Sequence, residues 1–274
     1  MIKHIQIKDY KCLHDENLEI KPFTIVTGVN SAGKSSLIQS VLLPVRRIGK
    51  NGQILLDTIV NLTFDTIRNK YYNAKSVRVD IDIDNVHISY HGTNELSLVF
   101  LPSEEDAGMP IDIEQNLYYL SANRIGAELH SKISPQFKVG VVGEYIVGSF
   151  EKEKSNPLMP ELIKDDSSYT LSAQVNYWLS YILDIPTELQ TERRLDDVVE
   201  VQYKSDGLGN ISPFQLGAGV SYLTKMLIMC LRAKKNDVCS RPHEDMTKAQ
   251  VIFLRPARQR LVNSWPLLLE PVYR

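Results

Sequence analysis

The chain has 274 residues, which at roughly 150 residues per domain fits one large α/β domain or two modest ones. Hydrophobic residues at 43% and charged residues at 23% exclude a disordered, collagen-like or disulfide-scaffold protein. Thirty-one Lys and Arg against thirty-three Asp and Glu give a net charge of −2, so the overall balance carries none of the cationic signature of a dedicated nucleic-acid binder. The three cysteines, Cys12, Cys230 and Cys239, are an odd number without metal-ligand spacing; they predict a reduced, cytoplasmic setting. The start is charged and alternating, unlike a signal peptide, and no apolar run reaches eighteen residues, so the sequence predicts a chain without a membrane span.

Three short strands are predicted first. Ile5 and Ile7 alternate with Gln6 and Lys8, Leu18 and Ile20 follow a polar turn, and Phe23 to Thr27 is rich in β-formers. From Lys34 to Ile48 the apolar residues Leu37, Val41, Leu42 and Val45 recur at helical spacing, with Pro44 expected to end or kink the helix. Ser76 to Phe100 has period two and reads as an antiparallel meander, with Val77, Val79, Ile81 and Ile83 on one face and Arg78, Asp80, Asp82 and Asp84 on a wet one. The three aspartates suggest the opening of a calcium loop. Asn85 replaces the glycine at the sixth position and His91 the glutamate at the twelfth, so a solvated strand face is the better reading.

Residues 102–116 read as an acidic loop, Leu117 to Leu120 as a short buried strand, and Phe150 to Asp166 as a surface excursion. Leu171, Val175, Trp178, Leu179, Ile182 and Leu183 form a helical stripe, with Pro186 beyond its end. Val199 and Val201 lead into a hairpin turn at Asp206 to Asn210.

One motif carries chemistry. Gly28, Val29, Asn30, Ser31, Ala32, Gly33, Lys34 and Ser35 match G-x-x-x-x-G-K-[ST] completely, between a predicted strand and a predicted helix. Glycines let successive N–H groups face one concavity, and the helix N-terminus adds partial positive charge. In such a loop Lys34 reaches the β- and γ-phosphates and Ser35 ligates Mg²⁺, so ATP and Mg²⁺ are the expected cofactors.

The opening I-x-I-K-D-Y-K-C-L, the two strands before the loop, and a loop with Asn30, Ser31 and doubled Ser35-Ser36 resemble the ABC-type ATPase heads of the SMC, Rad50 and RecF group. Tyr119 to Gly126 (Y-L-S-A-N-R-I-G) and Gln215 to Leu223 (Q-L-G-A-G-V-S-Y-L) resemble motifs of AAA-type ATPases of bacterial phage-defence systems, Septu-like and overcoming-lysogenization-like. The resemblance implies an α/β P-loop NTPase fold with a mixed sheet, an antiparallel meander and a helical segment. It divides the chain into a head over 1–236, comprising a P-loop lobe 1–125 and a helical signature part 126–236, and a divergent segment 237–274. It also implies a homodimer or higher oligomer closing around ATP, with Gly217, Gly219 and Ser221 as signature positions, and an effector partner such as a nuclease or toxin.

Gly217 and Gly219 precede an apolar helical run, which suits a helix N-terminus facing a γ-phosphate or a plain flexible cap. The same resemblance puts Lys11 and Arg124 near phosphate; a surface or ion-paired cation is the alternative for each.

The family's acidic strand, expected soon after the signature helix, is where the pattern breaks. Val238 to Arg241 offers no apolar strand before Glu244 and Asp245, and Val251 to Leu254 runs into Arg255 and Pro256. Catalytic residues are therefore unassigned, and 237–274 reads as a degenerate or truncated ending that leaves hydrolysis open. The four cations from Lys248 to Arg260 form a weak basic patch, either a solvated tail or a docking surface. Two other functions remain open: a RecF- or SMC-like DNA-processing ATPase, which would need a basic groove, and a non-hydrolysing ATP-dependent scaffold or inhibitory partner.

Overall fold

A computed structural model describes residues 2–21, 23–27, 29, 31–45, 63–100, 111–121, 124–234, 237–242 and 251–254. The chain is mixed α/β and divides into two compact units, one made of Met1–Ala122 with Asn236–Leu254 and the other containing Asn123–Lys235.

In the first unit β1 (Ile2–Tyr10) turns at Lys11 and Cys12 into β2 (Leu13–Glu19), and β3 (Phe23–Val26) follows. Helix α1 (Lys34–Val45) carries Pro44 in its last turn, where the missing N–H costs least to the rest of the helix. A single-turn helix α2 (Phe64–Ile67) precedes the meander β4 (Ser76–Ile83), β5 (Val86–Thr93) and β6 (Ser97–Phe100). These strands form a five-stranded antiparallel sheet in the order β2-β1-β4-β5-β6.

Its register sets Ile5 opposite Ile81 and Ile7 opposite Val79, and α1 packs against β1, β4 and β5 to bury that apolar row. On the opposite face Asp80 is buried, taking the Ser89 hydroxyl and the Arg78 Nε at 2.8 Å, so the strand face expected to be solvated keeps an enclosed carboxylate. Asp80 and Asp82 stand on an extended strand and Asp84 in the hairpin turn at φ 52°; that backbone is a ladder and not an ion-binding loop. The short strand β7 (Leu117–Tyr119) is buried throughout.

The second unit begins its sheet with β8 (His130–Lys132). Helix α3 (Ile146–Glu153) follows, then a 3₁₀ turn at Pro160–Leu162 and helix α4 (Leu171–Leu183). Next come β9 (Thr187–Leu195), β10 (Val198–Ser205) and β11 (Gly209–Ile211), a second 3₁₀ turn at Pro213–Gln215, and helix α5 (Ala218–Arg232). Strand β10 pairs with β9 along one side and with β11 and β8 in succession along the other.

Phe150, expected on the surface, lies on α3 and is fully buried, because this helix packs on β8, β10 and α5. Gly148 makes that packing possible: a Cβ there would sit 2.0 Å from the Lys132 carbonyl oxygen. Trp178 on α4 belongs to the same unit's core.

The chain then returns to the first unit as β12 (Val238–Pro242) and β13 (Val251–Leu254), completing a four-stranded sheet in the order β3-β13-β12-β7. Here β13 is antiparallel to both neighbours and β12 is parallel to β7. Val238 to Pro242 is thus a strand even though its sequence is hardly apolar; pairing with β7, begun by the Val238 amide on the Asn116 carbonyl at 2.7 Å, supplies what side-chain pattern does not. No helix among the described residues is long and apolar enough to cross a membrane.

Candidate functional site

The glycine-rich segment joins β3 to α1. Ser31 at φ 64° and Gly33 at φ 88° bend the chain through left-handed conformations, and the Ala32 amide donates to the Val29 carbonyl at 3.2 Å. Val29 stands 73% exposed on the loop's rim. Lys34 opens α1 with its side chain only 5% exposed, and its Nζ donates to the Val29 carbonyl, so the ammonium is folded across its own loop. Ser35 and Ser36 follow in the first helical turn, half-buried, where backbone N–H groups have no acceptor within the helix. Gly28 and Asn30 lie outside the described residues.

The turn between β1 and β2 presses on this loop from the side. A Cβ on Gly33 would come within 2.6 Å of Cys12 Sγ and 3.5 Å of a Leu13 methyl group. Lys11 sits in the same turn at φ 52°, its amide donating to the Ile67 carbonyl at 2.7 Å.

The Lys11 ammonium donates to Gln39 Oε1 on α1 at 2.6 Å, and partial burial holds its pKa below the usual lysine value. Gln39 also hydrogen-bonds Tyr119 at the end of β7, which bonds Ser121 in turn; burial pushes the Tyr119 phenol up. A connected set, Lys11–Gln39–Tyr119–Ser121, therefore ties the β1–β2 turn, the helix after the loop and the end of β7 together. Gln39 escaped the sequence reading, and Tyr119, though it opens the Tyr119 to Gly126 motif, was not read as a site residue. The hint at Gln39 was a long polar side chain between Ile38 and Ser40 in a helix that is otherwise mostly apolar after Ser36.

The remaining candidates gather in the second unit. Gly217 caps α5 at φ 77°, which only glycine adopts without strain, and Gly217 and Gly219 are both exposed at the helix N-terminus. Ser221 is 5% exposed and its hydroxyl bonds the buried Tyr203, so it faces the unit's interior.

Arg124, 8% exposed, lays its guanidinium over the Tyr222 ring at 4.2 Å. Gly126 leaves room for that ring, since a Cβ there would stand 3.2 Å from the Tyr222 hydroxyl. One turn further along α5, Lys225 pairs with Glu128 at 2.8 Å and donates to the Ile125 carbonyl at 3.2 Å. The segment 124–128 is thus clamped onto the first turns of α5. Of the residues that do the clamping, Tyr222 lies in the Gln215 to Leu223 motif without having been read as a site residue, and Lys225 and Glu128 belong to no motif.

Among the described residues no three His, Cys, Asp or Glu side chains could hold a metal ion together. Asp237, 6% exposed, immediately precedes β12. Glu244 and Asp245, and the cations Lys248, Arg255, Arg258 and Arg260, lie outside the described residues.

No protein-family model matches the chain. The chain is similar to an OLD nuclease from Thermus scotoductus, with 37% identity over 114 residues, which are 42% of this chain and 20% of that protein. It therefore spans about a fifth of the length of the curated relative it matches.

Proposed function

We propose that the chain is an ATP-binding ATPase head of the ABC type, working in an OLD-like, nuclease-linked defence system. One observation carries this reading: the complete G-x-x-x-x-G-K-[ST] segment lies between a strand and a helix, with the Lys34 ammonium folded over the loop on a carbonyl that a phosphate oxygen can replace. Two left-handed residues, the close approach of the β1–β2 turn at Gly33 and the open amides of the first helical turn suit a bound phosphate. Lys34 would hold the β- and γ-phosphates and Ser35 the Mg²⁺. The ion would supply charge neutralisation between phosphate oxygens.

The partial match to an OLD nuclease and the Septu-like and overcoming-lysogenization-like motifs at Tyr119 to Gly126 and Gln215 to Leu223 support the system assigned. In this reading the α5 segment beginning at Gly217 meets the nucleotide of a second copy, and nucleotide occupancy controls an effector such as a nuclease. Binding is proposed ahead of turnover, because no carboxylate is assigned to the attacking water: Glu244 and Asp245, which follow β12 in the sequence, lie outside the described residues.

The test is binding of a fluorescent ATP analogue with Mg²⁺, wild type against Lys34→Ala. Loss of one charge-assisted phosphate contact is expected to weaken binding about tenfold to a hundredfold. Equal affinity in the two proteins would sink the assignment. Phosphate release by wild type, absent in Lys34→Ala, would extend it to hydrolysis; binding without release makes the chain an ATP-dependent scaffold.

A further inference from the structure

Two neighbouring tyrosines stand in solvent on a turn of the first unit that the fold holds from within. Tyr71 is 85% exposed and Tyr72 63%. Between them and the sheet lies Asn69, wholly buried, whose Oδ1 accepts both tyrosine amides at 3.0 and 3.3 Å while its Nδ2 donates to the Leu13 carbonyl at 3.3 Å. Its backbone amide donates to the Asp9 carbonyl at 2.7 Å, and its carbonyl takes the Ala74 amide at 2.9 Å. Arg68 secures the far side by donating to Asn73 Oδ1 at 3.1 Å, with Asn73 at φ 48°. The rings are therefore presented by a fixed frame and not trailed on a loose loop, which removes most of the ordering cost of using them.

The chemistry around them is selective. Tyr72 stacks on His14 with centroids 3.8 Å apart and planes 13° from parallel, and His14 Nδ1 bonds Asp9 at 2.6 Å. Lys70 and Lys75 are exposed on either side of the tyrosine pair, whereas Arg68 is paired with Asp65, the one acid between Thr63 and Ser76. Flat rings with flanking ammonium groups, and no exposed aliphatic side chain from Arg68 to Lys75, match a ligand that alternates flat bases with phosphates. A duplex hides its base faces; an unpaired strand offers them.

We propose that the Lys70-Tyr71-Tyr72-Lys75 turn is a stacking platform for single-stranded nucleic acid. The unpaired bases lie on the tyrosine rings and the phosphates beside the two lysines. The platform is local, so it is compatible with the net charge of −2, and it does not depend on nucleotide binding at the glycine-rich loop.

The probe is a fluorescein-labelled twenty-nucleotide oligothymidylate, titrated in the absence of ATP with the full chain and followed by anisotropy. Tyr71→Ala and Tyr72→Ala are each expected to weaken binding about fivefold to a hundredfold, Tyr72→Phe to keep it, and Lys70→Gln with Lys75→Gln to reduce the slope of affinity against salt. The same sequence as a duplex should bind more weakly. Because the rings are exposed, the alanine variants should melt with wild type, so lost binding reports the surface. Wild-type affinity in both alanine variants overturns the proposal. So does loss of ATP-analogue binding with oligonucleotide binding intact, which would give the rings to the base of a nucleotide in the glycine-rich loop.

Discussion

At Gly33 the backbone runs at φ 88° and the space for a side chain is already filled by Cys12 Sγ. Alanine there meets two separate penalties, about 1–2 kcal/mol for the left-handed backbone and about 1–3 kcal/mol for crowding. Only the second depends on Cys12. In a double-mutant cycle read by urea unfolding, Gly33→Ala should be strongly destabilising, Cys12→Ala close to neutral, and the pair should recover the crowding part while the backbone part remains. Strict additivity would show that the thiol is not in the way. Lys34 shows the same economy on the functional side: its place in the motif is legible in sequence, but the carbonyl that holds its ammonium is not.

Helix α5 owes its seating to a buried pair. Lys225 is 1% exposed and Glu128 is its ionic partner, so removing the carboxylate alone strands a charge in the interior. Glu128→Ala is expected to cost about 3–5 kcal/mol, seen as a large drop in melting temperature, whereas Glu128→Leu combined with Lys225→Met should restore most of it. A near-neutral Glu128→Ala would show that the charge reaches water.

Elements with a strong period were readable in advance: β1 to β3, the meander β4 to β6, α1, α4, the β10–β11 hairpin and α5. Those missed share a physical cause. Strand β9 (T-E-L-Q-T-E-R-R-L) is polar on most positions and exists because β10 offers a ladder. The short helix α3 holds its place through Gly148 against Lys132, a contact no local pattern encodes. The network at the candidate site follows the same rule, because Lys11 beside one sheet, Gln39 on α1 and Tyr119 at the end of a strand of another sheet are brought together by packing and not by spacing.

Buried phenols in both units make the fold sensitive to alkali. Burial pushes Tyr10 and Tyr119 up in the first unit and Tyr203 in the second. A group that keeps its proton in the fold but loses it near pH 10 when unfolded supports stability below that pH and withdraws it above, by about 1.4 kcal/mol per pH unit for each group. Stability read by urea unfolding should therefore fall as the pH rises from about 9 to 11.5, and Tyr119→Phe and Tyr203→Phe should each make that fall shallower. Lys11, with its pKa held down, works in the opposite sense over the window that ends near 10.5. A fall left as steep in both phenylalanine variants would contradict the burial of Tyr119 and Tyr203.

Strand β3, which delivers the glycine-rich loop, pairs with β13, with Val26 beside Val251. Closing that separation costs about 3 kcal/mol more chain entropy than closing the short β12–β13 hairpin. The cheapest order of assembly is then hairpin first, with β13 docking as a preformed edge on β3. During synthesis the loop's supporting strand must wait, unpaired on this side, while more than two hundred further residues are made. The loop that opens the chain's chemistry is thus among the last parts of it to be framed.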